Sequence, residues 1–289
     1  MYREVREEIR KLDTSWIQEG EDDGSSPIIV LLHGFPDNAK SWSKQIDFFK
    51  EDYLVLAPYV HGTSERDKFI PKRRYASDSY ALDIIEIINR VDRDKNRSIL
   101  IVGHDIGGVI ADKVAQFLGS RSIGIVLINS LGLDQFYYRK KDPFQIFKSY
   151  YIGIFQAPII TDGIFKLFNR RMLKFIYDTG GLDKKDEIRE HGKEVFRGLQ
   201  HYRNFAREML SLRNNIRKTL NTNALYLFGE RDKFLELPSV HEAKKFYAHS
   251  EVRVINSTHW MHRNDSSTVN RILSKTFNAW LAGAKEKHV

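Results

Sequence analysis

The run Ile-Leu-Ile-Val-Gly-His-Asp-Ile-Gly-Gly, residues 99–108, decides how this chain is read. Its first four residues are branched and apolar, too few for a buried helix, so 99–102 reads as a buried strand. Residues 109–118 then read as a helix. Between the two lies a sharp turn with Gly103 two residues before Asp105 and Gly107 two residues after it. A strand that turns at once into a helix needs small residues at those two places, and it lifts the central side chain clear of the sheet. A serine at the centre needs a base to become a nucleophile. A carboxylate is already ionised at neutral pH. Asp105 is therefore the candidate nucleophile, suited to forming an ester with an alkyl carbon and not to accepting an acyl group.

Outward from that turn, short runs rich in Val and Ile recur at 28–32, 53–57, 124–128, 224–228 and 252–255. Helix-like stretches such as 80–91 lie between several of them. Strands that alternate with helices predict an α/β fold with a mostly parallel sheet flanked by helices. Near the start, Val5, Glu7, Ile9 and Lys11 alternate as one edge strand would, ahead of a turn cluster at 19–27.

The pattern stops at 131–220, where no strand-like run occurs. That segment holds 15 of the 35 aromatic residues, and its 18 Lys and Arg against 10 Asp and Glu carry the whole chain's excess of +8. It reads as a helical cap over the sheet, dividing the chain into a core of 1–130 and 221–289 and a cap of 131–220. Its positive charge reads as a solvated outer face. Two aromatic faces run through it: Phe144, Phe147, Tyr151 and Phe155, and Leu199, Tyr202, Phe205, Met209, Leu212 and Ile216. Both have helical spacing, and on spacing alone Tyr151 and Tyr202 are core aromatics.

Composition narrows the class. The chain has 289 residues, 42% of them hydrophobic, and no cysteine. That is globular composition without disulfides, thiolate metal sites or a cysteine nucleophile. The first residues are charged throughout, unlike a secretory signal. The longest compact apolar run, Ile28–Leu32, falls far short of the roughly 20 residues of a membrane helix. A cytoplasmic protein without an integral membrane segment is expected. The basic excess comes with no nucleic-acid motif, so no nucleic-acid partner is expected. Oligomeric state is open.

The other chemistry-bearing residues follow strands. His33-Gly34-Phe35-Pro36 follows 28–32, and the Phe35 amide with the Ile106 amide would make an oxyanion hole. Asp232 follows 224–228 and His259 follows 252–255. The order is nucleophile, acid, histidine. His259 is the expected base, oriented by Asp232. His262 is the rival base but lies further from its strand. His33 and His104 read as structural. No spacing suggests a metal site or a phosphate cradle, so no cofactor is expected.

The set HGFP, GHDxGG, GERD and THW is similar to the epoxide hydrolases of the α/β-hydrolase fold. The resemblance continues into the cap and covers roughly residues 27 to 281. Residues 150–158, ending in Phe-Gln-Ala-Pro, resemble the family's cap segment, whose tyrosine implies Tyr151 as an epoxide-oxygen donor. His201-Tyr202-Arg203-Asn204-Phe205 resembles its Trp-Tyr-Arg-Asn-Met motif, which implies Tyr202 as the second donor. Pro36, Phe155 and Trp260, within the same motifs, are then expected substrate contacts. The implied reaction opens a small apolar epoxide with water to a vicinal diol. The chain departs from the family at Ile106, where tryptophan is usual, and at 58–64, which lack the usual Asp-x-Arg-Gly-Tyr-Gly form. Two alternatives stay open on these residues. A haloalkane or haloacid dehalogenase uses the same Asp-His-Asp set but commonly holds the halide with the ring N–H of that tryptophan. The other is a non-catalytic binding protein on the same fold.

Overall fold

The computed structural model describes residues 2–63, 69–182, 195–212 and 217–286. Ser64, within the divergent 58–64 stretch, and Ile216, the last member of the second aromatic face, lie outside them. Eight strands form one sheet: β1 Glu4–Ile9, β2 Leu12–Glu19, β3 Ile28–Leu32, β4 Leu54–Pro58, β5 Ile99–His104, β6 Ser122–Ile128, β7 Leu220–Gly229 and β8 Tyr247–Ile255. Their order is β1-β2-β4-β3-β5-β6-β7-β8. Only β1–β2 and β2–β4 are antiparallel; every other pair is parallel. This is the mostly parallel α/β sheet expected from the alternation, in the α/β-hydrolase arrangement that the motif resemblance implies.

Both faces of the central sheet are covered, which is why its strands read as unbroken apolar runs. Alternate residues of β3 go to opposite sides. Ile28, Val30 and Leu32 pack with Ile84 and Ile88 of α2 (Ser77–Val91) and Ile110 and Val114 of α3 (Ile106–Leu118). Ile29 and Leu31 pack with Ile46 of α1 (Ser43–Phe49) and Leu273 and Phe277 of the C-terminal helix Ser266–Glu286.

The amino-terminal edge differs from the sequence reading. β1 stops at Ile9, and the chain reverses through Arg10 and Lys11, both at positive φ, into β2. The alternation through Lys11 had suggested one strand. The two-residue turn was hidden because neither residue is the Gly, Asn or Asp that normally announces it.

Between β6 and β7 the described residues form α4 (Leu133–Tyr138), α5 (Pro143–Lys148), α6 (Tyr150–Phe155), α7 (Pro158–Thr179) and α8 (Leu199–Ser211), together with a short 3-10 turn. The first aromatic face is not one helix. Asp142 caps α5, accepting from the Phe144 and Gln145 amides, and the helix ends before Ser149. The break leaves Phe144 and Phe147 in solvent, whereas Tyr151 and Phe155 turn inward. The second face holds: Leu199, Tyr202 and Phe205 are buried, and Met209 and Leu212 pack at its edge. These inward aromatics meet Phe35, Ile106 and Trp260 from the sheet's carboxyl end in one apolar cluster.

Candidate active site

Asp105 sits at the junction of β5 and α3 with φ +52 and ψ −128, a conformation that costs a non-glycine residue energy and is held by its surroundings. Its carbonyl accepts from the Gly108 amide at 2.9 Å and from the Ser130 hydroxyl at 2.6 Å. A Cβ on Gly103 would fall 2.5 Å from the Gly107 carbonyl oxygen, and one on Gly107 would fall 2.3 Å from that of Leu32. Glycine at both places is therefore required by close approach of backbone.

The buried Asp105 carboxylate has distinct surroundings at its two oxygens. Oδ1 accepts from the Tyr202 hydroxyl at 2.6 Å and from the Phe35 amide at 3.3 Å. Oδ2 faces His259 Nε2 at 3.7 Å. The other ring nitrogen, Nδ1, lies 2.9 Å from Asp232 Oδ2. Asp232 Oδ1 is fixed by the Phe234 and Leu235 amides at 2.7 and 3.1 Å. The fold thus brings Asp105, His259, Asp232 and Tyr202 together, with Tyr151 stacked edge-on against Tyr202 at 5.9 Å between ring centres. His262 points elsewhere. Its Nε2 lies 3.6 Å from Asp37, and its ring packs on Trp42 and His104.

Phe35, Asp105, Tyr151, Phe155, Tyr202, Phe234, His259 and Trp260 line a mainly apolar cavity. A smaller one, bounded by Ile106, Val109, Phe136 and Phe205, meets it at Asp105 and the two tyrosines. Ile106 therefore forms a wall of the smaller cavity. Pro36 is buried and lines neither.

Burial works against charge on His259, but the Asp232 carboxylate, aided by Asp105, outweighs it and raises the imidazole to about 10. Tyr151 and Tyr202 are pushed well above their usual value by burial first and by the Asp105 charge next, so both hydroxyls stay protonated. Asp105 is one of the two carboxylates that hold the His259 proton, so Asp105→Asn should lower that imidazole. Ring-nitrogen NMR shifts across a pH series read this directly, with the wild-type ring still protonated at pH 8.

Two contributors, Asn129 and Phe234, were not legible in the sequence, and His104 has the structural role expected of it. Asn129, at the end of β6, donates to the His259 carbonyl at 2.8 Å and accepts from the Gly229 amide at 2.8 Å, tying the acid loop to the histidine loop. His104 lies 2.9 Å from that same carbonyl through Nε2. Phe234 packs edge-on against the His259 ring at 4.8 Å and lines the cavity. A polar residue just past a buried strand was the one available signal for Asn129.

Spacing suggested no metal site, yet the fold gathers Asp37, His104 and His262 with ligand atoms within 4.8 Å of one another. The Arg263 guanidinium lies 2.6 Å from Asp37, so a cation there would meet a positive neighbour. No described helix is long and apolar enough to cross a membrane.

The alpha/beta hydrolase family model matches residues 29–271. Epoxide hydrolase 4 of Homo sapiens is 28% identical over 265 residues, spanning 86% of this chain and 71% of that protein. Epoxide hydrolase 3 of Xenopus tropicalis is 26% identical over 264 residues, 87% of this chain and 71% of that protein. Among solved structures, a mutant epoxide hydrolase from Bacillus megaterium, complexed with its naphthyloxy-propanediol product, superposes with TM-score 0.80 at 20% identity. The match covers 95% of this chain and 100% of that one. At that identity the likeness shows the fold alone.

Proposed function

The chain belongs to the alpha/beta hydrolase family, and from that premise we propose that it is an epoxide hydrolase acting on an apolar epoxide through a covalent ester on Asp105. One contact carries the reading above the others: the Tyr202 hydroxyl donates to Asp105 at 2.6 Å, with the Tyr151 ring beside it in the same cavity. A carboxylate beneath two protonated phenols suits a substrate whose electrophilic carbon carries an oxygen leaving group. A halide leaving group would find no ring N–H at Ile106, which disfavours the dehalogenase. The names of the epoxide hydrolases among the relatives agree with the same choice.

The steps follow from the two oxygens. Oδ1 is held by the Phe35 amide, so Oδ2 attacks the epoxide carbon. The ring C–O bond breaks, and the oxygen takes a proton from a tyrosine. Esterification removes the Asp105 charge, one of the two carboxylates that keep His259 protonated. The imidazolium then releases its proton to solvent, to be regained when the Asp105 carboxylate is restored, and the neutral ring can act as a base. It deprotonates a water that attacks Cγ, and the oxyanion forms at Oδ1 beside the Phe35 amide, joined by that of Ile106. Each such donor typically contributes about 3 kcal/mol. Collapse breaks the Cγ–Oδ2 bond. His259 protonates the departing alkoxide, and the new carboxyl proton returns to the tyrosinate. Epoxide and water enter, diol leaves, and no cofactor takes part.

The test is a panel of styrene, fatty-acid and terpenoid epoxides scored for diol, with halide release from haloalkanes scored in parallel. Diol without halide is expected. The reverse result transfers the site to the dehalogenase reading, and neither product transfers it to the non-catalytic one. Tyr202→Phe and Tyr151→Phe are each expected to lower kcat/KM by about 10²-fold, the worth of one donor to a developing oxyanion. The double variant should lose substantially more than either. Thermal unfolding controls for the fold. Equal activity of the double variant and wild type would remove the phenols from the reaction.

A further inference from the structure

The cap's outer surface is apolar where a solvated helix would be polar. α7 turns Thr161, Phe165, Leu173 and Tyr177 inward. Its solvent side exposes Ile160, Ile164 and Leu167 before a bend, Phe168 at the bend and Phe175 after it. Ile160 is 64% exposed and Leu167 78%. The spacings of four, three and seven residues keep each group on one side of its half-helix. Tyr150 and Ile154 of α6 are also exposed, and with Phe175 they line the mouth of the cavity above Asp105. The apolar surface therefore continues into the pocket. A patch of this extent marks an interaction site more often than bare solvation.

The charges set the kind of partner. Lys166, Arg170 and Arg171 are exposed among these residues, as is Lys174, which is paired with Asp178. The two acidic groups of α7 are already held, Asp162 by Arg203 and Asp178 by Lys174. The face is apolar with a positive surplus. We propose that it docks on an anionic lipid surface, with the cavity mouth turned toward the bilayer. Apolar side chains enter the headgroup boundary while Lys and Arg meet anionic headgroups, the pair of signals that stable interfacial binding needs. A second copy of this chain suits the face less well, because a two-fold contact would press these cations against their equivalents. The purpose, delivery of a substrate dissolved in lipid, rests on the apolar-epoxide reading. The binding does not.

The experiment is flotation of the full chain with vesicles, without substrate. Phosphatidylcholine vesicles are compared with the same lipid mixed with phosphatidylserine. Binding to the mixed vesicles is expected, weaker by about tenfold on phosphatidylcholine alone and weakened by salt. Ile160→Asp with Leu167→Asp, and separately Arg170→Glu with Arg171→Glu, should each lower it by about tenfold. Both variants should keep the wild-type unfolding temperature and diol formation from a water-soluble epoxide. The proposal is overturned by no binding at low ionic strength, or by binding that both variants leave intact. It is equally overturned by self-association that Ile160→Asp with Leu167→Asp abolishes without any vesicle binding, which would give the face to a second copy. Vesicle binding without diol from any epoxide would overturn the enzymatic reading and leave the docking surface standing.

Discussion

Asp105→Asn is expected to lower diol formation by about 10⁴-fold or more, the scale on which a nucleophile's removal acts. The amide is isosteric with the carboxylate, and its oxygen can still accept from Tyr202 and the Phe35 amide, as Oδ1 does now. The strained elbow, held by the Gly108 amide and the Ser130 hydroxyl through the backbone carbonyl, is untouched. Fold and cavity should therefore survive while the attacking atom is lost. Substrate binding, read by fluorescence of the aromatic cavity or by calorimetry, should persist within a few-fold. One control is essential. His259 and Asp232 remain in place and can slowly hydrolyse the amide, so activity that returns on long incubation must be matched to reversion in the mass of the protein. Residual activity within about tenfold of wild type, without reversion, would mean that Asp105 is not the nucleophile.

The parts of the site that could be read beforehand are those whose chemistry fixes residue type and position together. A nucleophile on a strand-to-helix turn demands glycines at 103 and 107 because backbone packs where side chains would be. An acid and a histidine must follow strands, so Asp232 could be picked by order, and His259 over His262 by its place nearer the strand end. What stayed hidden depends on tertiary context. Arg10 and Lys11 form a tight turn that their side chains do not advertise. The helical period of Phe144, Phe147, Tyr151 and Phe155 ran across a break that a cap at Asp142 and the end at Ser149 impose. Spacing alone could not say that Tyr202 faces a carboxylate, and only the motif resemblance pointed that way. Two differences from the resembling motifs, at 58–64 and at His201, also turn out to be neighbours. His201 stands where the resembling motif has tryptophan, and its Nε2 lies 2.9 Å from the His61 carbonyl oxygen, inside the divergent 58–64 stretch. Its Nδ1 lies 3.0 Å from the Tyr75 carbonyl oxygen. Burial, then the nearby His61, lowers this imidazole to about 3, so the neutral ring has a single N–H and donates to one of these two carbonyl oxygens at a time. Two changes that look independent along the chain form one contact in the fold.

His259→Gln separates the two halves of the reaction. Glutamine can still accept or donate near Asp232 but cannot take a proton from water, so attack by Asp105 should proceed and hydrolysis of the ester should stop. The expected signature is a protein mass raised by one whole substrate, formed in a single burst of one equivalent, with steady-state turnover down by about 10⁴-fold or more. His262 should not rescue it. That ring lies against Trp42 and faces Asp37, and burial lowers its basicity away from the cavity. Combining His259→Gln with Asp105→Asn should abolish the adduct, which ties the added mass to one carboxylate. The outcome also discriminates between mechanisms in a way the single activity measurement cannot. A direct attack by water on the epoxide, with His259 as base and no ester, predicts the same loss of turnover but no change in protein mass. An unmodified His259→Gln protein, tried with every epoxide the wild type opens, would therefore leave the hydrolase in place and remove the covalent route.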